Sequence, residues 1–148
     1  MKPTINVFED ITLVILQNIP ADLRFVTEVF ENIAGMGVDV DMISLSPAQS
    51  SQTSLSFTIN DEDLAKILGY TGKLNDESVK VIVSSGNCKI SIDDAGMENC
   101  PGVAARVFSA AAESETDIRL ITTSESQISL LITKPNLDAV YAALTKEL

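Results

Sequence analysis

The sequence predicts an α+β fold of two consecutive βαββαβ units, each with an antiparallel sheet and its helices on one face. Period-two and helical hydrophobic patterns follow one another in the same order, strand, helix, strand, strand, helix, in both halves of the chain. Equivalent residues also recur in that order, Phe30 with Phe108 and Asp39 with Asp117. This agreement indicates an internal duplication.

The elements of the first half follow from its periodicity. Runs of alternating or β-branched residues predict strands at 11–16, 38–43 and 54–59. Apolar residues at helical spacing predict helices at 25–33 and 62–68. Gly35 is expected to end the first helix, because glycine readily adopts the left-handed conformation of a C-terminal cap. The second helix is expected to have Asn60 or Asp61 as its N-cap and to end at Gly69 and Gly72.

The second half repeats this pattern. It contains predicted strands at 89–92, 117–121 and 127–132, and predicted helices at 101–111 and 136–148. Pro101 lies near the first turn of its helix, where the missing N–H of proline has no helical partner to lose.

Two further strands, 4–8 and 79–83, precede the first strand of each half. A four-stranded ferredoxin-like sheet needs one strand more than each half supplies. No strand follows the last helix, so the N-terminal strand is expected to complete the second unit, and the strand at 79–83 the first. We therefore expect a first unit over 9–84 and a second unit over 85–148 together with 3–8.

The composition excludes several classes of function. The 148 residues include 21 acids against 10 bases, a net charge of −11 that disfavours nucleic acid and anionic membranes as partners. The absence of histidine excludes Ser-His-Asp triads, and Cys88 and Cys100 form neither a redox motif nor a zinc motif. No run has the length of a membrane span and no export signal is recognised, so a cytoplasmic location is expected.

Carboxylates are the remaining candidates for chemistry. Asp93 and Asp94 are neighbours on a predicted strand and should point to opposite faces, which disfavours a catalytic pair. The acids at 61–63 fit a helix cap and first turn better than a metal site. The polar run 49–53 is interpreted as a mobile hairpin connection. No catalytic residue, metal or cofactor is predicted.

Four segments carry a resemblance to a known family. Residues 94–108, DAGMENCPGVAARVF, resemble the "GAGM…HPGVAAR(I/M)F" signature of the second ACT domain in the regulatory portion of aspartate kinases. Residues 121–125 resemble the "ISTSE" strand end of that family, 40–43 its "VDMI", and 11–20 its "ITLVTVxxVP" opening. The resemblance covers nearly the whole chain and is stronger in the second unit.

This resemblance implies a regulatory ACT pair without a kinase catalytic domain. The seven glycines are too scattered for a phosphate-binding loop, in agreement with that reading. The implied ligand is a free amino acid of the lysine or threonine type, and the implied partners are a second copy, in a homodimer through ACT units, and a catalytic kinase subunit.

In the resembled family, amino acids bind between the loop after the first strand and the second strand, usually at a domain or subunit interface. Carried over by position, the first site consists of Ile19, Asp22, Asp39, Val40, Asp41 and Ser46. The second site consists of Met97, Asn99, Cys100, Asp117, Ile118, Ser124 and Glu125. The acids at 39, 41 and 117 favour lysine over threonine.

The first site departs from the family pattern. Arg24 replaces a glycine that lets a ligand approach the backbone closely, and Pro47 stands where the second unit has Glu125. An alternative interpretation is therefore a structural or assembly subunit with degenerate sites, paired with a separate kinase chain. An enzyme acting alone is disfavoured, because the chain offers no histidine, metal set or phosphate loop.

Overall fold

The chain forms two α+β units in the computed structural model, which describes residues 3–74 and 78–148. Residues Asp10–Ser85 make up the first unit, and Met1–Glu9 with Gly86–Leu148 make up the second. Two long strands contribute to both ranges, β1 over Thr4–Pro20 and β4 over Lys80–Asp93. Each joins two strands that the sequence analysis predicted separately. At the joins the backbone is left-handed, at Asp10 with φ of 59° and at Gly86 with φ of 71°.

The first unit contains a four-stranded sheet and two helices. Its further elements are α1 (Leu23–Gly35), β2 (Ile43–Leu45), β3 (Gln52–Asn60) and α2 (Leu64–Leu74). The strand order is β2-β3-β1-β4, and β1 and β2 both pair antiparallel with β3. Val14, Ile33, Phe57 and Ile67 lie in one buried core cluster. The rings of Phe30 and Phe57 pack edge to face, with their centroids 5.8 Å apart.

The second unit repeats this topology. Its further elements are α3 (Val103–Glu113), β5 (Ile118–Thr123), β6 (Gln127–Thr133) and α4 (Leu137–Glu147). The strand order is β1-β4-β6-β5, so the N-terminal strand completes this unit as predicted. Ile90, Val107, Leu130 and Val140 form its buried core, and Ile5 packs against it. The predicted α+β fold of two ferredoxin-like units is confirmed.

Two predicted element boundaries were wrong. Helix α2 does not end at Gly69 but continues through Gly72 to Leu74. The buried side chains of Ile67 and Thr71 stabilise this extra turn, so tertiary packing outweighs the low helix propensity of glycine.

The strand predicted at 38–43 begins only at Ile43. The preceding residues still follow β3, because Asp41 N donates to the Thr58 carbonyl at 3.1 Å and Thr58 N donates to the Met42 carbonyl at 3.0 Å. Thr58 Oγ1 also accepts from Met42 N at 2.9 Å. These isolated bonds align the segment without forming a regular ladder.

Among residues 3–74 and 78–148, no helix combines the length and the hydropathy needed to cross a membrane.

Candidate functional site

The loop between β1 and α1 begins at a bulge. The register of β1 against β3 shifts between Leu16 and Ile19, and Asn18 adopts a left-handed backbone with φ of 62°. Ile19 is fully buried in the core, so its side chain packs internally, whereas Asn18 is exposed. The bulge therefore places the side chain of Asn18 at the surface, beside the site that sequence reasoning assigned to Ile19.

Asp22 caps the helix that follows this bulge. Its Oδ1 accepts from the backbone N–H of Arg24 at 3.0 Å, the arrangement of a helix N-cap. The carboxylate thus lies at the positive end of the α1 dipole.

A cavity of about 170 Å³ lies between the start of α1 and the β2–β3 hairpin, and is called the helix cavity here. Its lining residues are Ala21, Asp22, Leu23, Val26, Leu45, Ser46, Ala48 and Thr53. The structure therefore brings together two residues of the predicted first site, Asp22 and Ser46. The Asp22 carboxylate is the one formal charge in this lining.

A second cavity, called the hairpin cavity, has a volume of about 370 Å³. Its lining residues are Asn18, Ser46, Pro47, Gln49, Gln52, Thr53 and Ser54. Ser46 and Thr53 line both cavities, and Thr53 Oγ1 donates to the Ser46 carbonyl. The lining is neutral and polar, so it offers hydrogen bonds but no charge.

Sequence reasoning missed most of the hairpin cavity. The run 49–53 was interpreted only as a mobile connection, yet Gln49 pairs with Gln52 in an isolated bridge and Thr53 is buried. The run contains side-chain amides and hydroxyls, but such residues are also common in exposed turns, so the sequence carried no signal that distinguishes a cavity lining.

The remaining residues of the predicted first site line neither cavity. Asp39, Val40 and Asp41 precede β2, whereas Ser46 follows it. An extended chain from Asp41 to Ser46 spans roughly 16 Å, so the two groups lie at opposite ends of the same strand. Val40 packs against the first-unit core, and the side chains of Asp39 and Asp41 are exposed.

The second predicted site begins in the loop between β4 and α3. Met97 ends a short 3₁₀ turn and packs against the second-unit core, whereas Asn99 and Cys100 are exposed. Asn99 has a left-handed backbone with φ of 61°, and so does Gly102, the N-cap of α3, with φ of 97°. Glycine favours that conformation at the cap, and the helix begins there without a side-chain hydrogen bond.

The structure brings this loop to the turn between β5 and β6. Asp94 N donates to the Ser126 carbonyl at 2.9 Å, and Ser124 N donates to the Gln127 carbonyl at 2.8 Å. Ser124 and Glu125, both exposed, therefore belong to the same end of the unit as Cys100.

Asp117 and Ile118 lie at the opposite end of β5. Ile118 pairs with Ile132 and packs against the core, while Thr123 pairs with Ile128 near the turn. The Asp117 carboxylate forms a 3.7 Å ion pair with Arg119. Both predicted sites are thus divided in the same way. In each unit, one group of site residues lies at the loops, and the other lies at the start of the second strand, at the opposite end of the unit.

The clearest pKa shift lies away from these cavities. Burial raises the pKa of the Tyr70 hydroxyl, a hydrogen bond with Asn32 opposes that shift, and the charge of Glu28 adds to it. Tyr70 lies on α2 and packs against the first-unit core. Within the described residues, no three acidic or cysteine side chains cluster as metal ligands would.

Comparison with known proteins gives a consistent result. The family model described as "ACT domain" matches residues 90–148. An aspartokinase of Geobacillus stearothermophilus is 38% identical over 126 residues, which cover 84% of this chain and 30% of that protein. Aspartokinase 2 of Bacillus subtilis is 30% identical over 130 residues, covering 86% of this chain and 32% of that protein. The chain thus spans about a third of the length of these relatives.

Solved structures match over the full length. The regulatory subunit of aspartate kinase from Thermus flavus superposes with a TM-score of 0.88 at 26% identity, covering 99% of both chains. A structure described as aspartokinase alpha and beta subunits gives a TM-score of 0.86 at 25% identity, covering 97% of this chain and 95% of the other.

Proposed function

We propose that this chain, a tandem ACT pair of the regulatory portion of aspartate kinases, binds a free amino acid and regulates an aspartate kinase catalytic chain. The observation that carries the proposal is the helix cavity, where Asp22 and Ser46 meet at the start of α1. The proposal includes a cytoplasmic location and no catalytic activity of the chain itself.

The helix cavity suits a zwitterion. Asp22 offers a carboxylate to an ammonium group, and the adjacent end of α1 is the positive end of the helix dipole, which attracts a carboxylate. Leu23, Val26 and Leu45 provide apolar surface beside these polar groups. A small amino acid fits this combination better than a nucleotide, which would bring several negative charges to one carboxylate.

The neighbouring hairpin cavity supports the choice of effector class. A side chain that extends from Asp22 past Ser46 meets the neutral polar groups of Gln49, Gln52 and Thr53. Both the hydroxyl of threonine and the ammonium of lysine find acceptors there. We propose these two amino acids as the effectors to be tested.

A second copy of the chain belongs to the proposal. Asp39 and Asp41 lie at the other end of β2 from Ser46, so they reach an effector in the helix cavity only if another copy supplies them. We therefore propose a homodimer through ACT units, in which binding favours one arrangement of the copies and so transmits the signal.

Two observations favour the alternative function, an assembly subunit with degenerate sites. Pro47 lines the hairpin cavity and has no N–H to donate, and Arg24 introduces a long side chain next to Asp22. In that case the chain holds a catalytic subunit in place without responding to amino acids.

Calorimetric titration of the chain with L-lysine, L-threonine and the other amino acids distinguishes the two. We expect saturable binding of lysine or threonine, weakened about fivefold by Ser46→Ala because one hydrogen bond is lost. Ser109→Ala is the matched control, because Ser109 is exposed on α3 and lines neither cavity. Absence of saturable binding at millimolar concentrations would support the assembly function.

A further inference from the structure

Two adjacent carboxylates that the proposed function does not use, Asp93 and Asp94, lie between the two loops of the second predicted site. We propose that Asp94, supported by Asp93, is a positioning residue of that site: it holds the loop of residues 95–102 against the turn of residues 124–126. This inference rests on the proposed function and deepens it, because it assigns the residues that assemble the second effector site.

Asp94 organises the loop through two acceptors. Its Oδ1 accepts from Gly96 N at 2.8 Å, and its backbone carbonyl accepts from Met97 N at 3.0 Å. The Met97 carbonyl then accepts from Cys100 N at 3.1 Å. One side-chain bond, from Gly96 N to the carboxylate, and two successive backbone bonds therefore fold the loop from Asp94 to Cys100.

The turn at Gly96 is closed tightly around this carboxylate. A Cβ at position 96 would lie 3.1 Å from Asp94 Oδ1, closer than an ordinary van der Waals contact. The bond from Gly96 N to the Asp94 carboxylate therefore requires that residue 96 has no side chain.

The same two residues bind the turn between β5 and β6. Asp94 N donates to the Ser126 carbonyl at 2.9 Å. Asp93 Oδ1 accepts from the side chain of Gln127, the next residue, at 2.7 Å. A backbone bond and a charge-assisted side-chain bond therefore connect the end of β4 to this turn.

Asp93 is fixed in turn by its other oxygen. Its Oδ2 accepts from Asn6 Nδ2 and from Ser91 Oγ, both at 3.3 Å, and Gln127 Oε1 accepts from Ser129 Oγ at 3.4 Å. Neighbouring residues of a strand point to opposite faces. Accordingly, the Asp93 carboxylate binds side chains of the sheet, and the Asp94 carboxylate binds the backbone of the loop.

Few other interactions restrain the loop. Met97 is half-buried against the core, but Asn99 and Cys100 are exposed, as are Pro101 and Gly102. Segments with few apolar contacts open easily, so loss of the bond between Asp94 Oδ1 and Gly96 N increases the open population of the loop. An effector that binds only the closed loop then loses affinity in proportion.

Amide hydrogen exchange of the full chain, measured by NMR, tests this directly. We expect Asp94→Ala to accelerate exchange at Met97 and Cys100 about tenfold. Asp94→Asn should restore protection, because its amide oxygen can accept the same hydrogen bond. Asp138→Ala is the matched control, since it removes an exposed carboxylate from α4 of the same unit. Gly96→Ala keeps the carboxylate but displaces it, and provides an independent variant should Asp94→Ala not fold.

Titration of the same samples with L-lysine and L-threonine links the loop to the site. We expect Asp94→Ala and Gly96→Ala to weaken binding at second-unit resonances about tenfold, with affinity rescued in Asp94→Asn. Unchanged exchange at Met97 and Cys100 in both alanine variants overturns the proposal, and so does accelerated exchange with unchanged affinity. If the unmodified chain binds neither amino acid, the proposed function fails for this unit, while the exchange rates alone decide whether Asp94 positions the loop.

Discussion

The two units share a topology but use their loop carboxylates differently. In the first unit Asp22 caps α1 and also lines a cavity. In the second unit Gly102 is the N-cap of α3 and supplies no side-chain bond, and the Asp94 carboxylate accepts from Gly96 N in the loop before it. The two units thus share the strands and helices that the buried cores require, while the loops at their ends differ in structure. The Asp22 carboxylate caps its helix and lines a cavity, whereas the Asp94 carboxylate closes a turn at Gly96.

The largest expected effect tests whether the two cores are equivalent. Phe57 lies opposite Val14 and Leu130 lies opposite Ile90, so they hold corresponding positions in the two units. Both are fully buried, and we expect Phe57→Ala and Leu130→Ala each to lower the free energy of unfolding by about 3–5 kcal/mol.

Urea denaturation followed by circular dichroism measures both variants. Leu68→Ala is the control, because Leu68 is 49% exposed on α2 and should change stability by less than about 1 kcal/mol. A small effect of either core variant would show that its unit tolerates a cavity and that the cores are not equivalent.

Asp22→Asn separates the two uses of the first-unit carboxylate. Asparagine caps helices about as well as aspartate, so the melting temperature should stay unchanged. The variant loses the negative charge, and we expect the affinity for an ammonium-bearing effector to fall about tenfold. Thermal unfolding and calorimetry measure the two quantities on one sample. If the unmodified chain and Asp22→Asn bind the effector with equal affinity, Asp22 is not part of the ligand site and acts only as a helix cap.

The smallest expected effect compares two glycines. Gly102 has φ of 97°, so Gly102→Ala should destabilise the chain by about 1–2 kcal/mol. Gly69 lies inside α2 with no atom within 4 Å of a Cβ, so Gly69→Ala should stabilise it by about 0.5–1 kcal/mol. Opposite signs in thermal unfolding would confirm that glycine is required at the α3 cap but not at position 69 of α2. A loss of stability with Gly69→Ala would contradict this account of α2.

The sequence predicted only two of the residues that line the two cavities, and it did not predict which residues the fold brings together. The resemblance supplied Asp22 and Ser46, which the fold brings to one cavity. It also supplied Asp39, but Asp39 precedes β2 whereas Ser46 follows it. The extended strand between them keeps the two residues apart within one unit. Asn18 escaped notice, because a bulge depends on the pairing of two strands and leaves no local pattern.

The sequence by itself determined the order of the elements and its repetition in the two halves, because hydrophobic periodicity is a local property of the chain. The count of strands predicted that the strand at 4–8 completes the second unit, and the tertiary structure agrees with that prediction. Only the tertiary structure decided how far α2 extends past Gly69, where the two cavities lie, and that Asp94 joins a loop to a turn some 30 residues away in the chain. These features depend on contacts between segments distant in sequence, and such contacts form only once the sheet has brought the ends of its strands together.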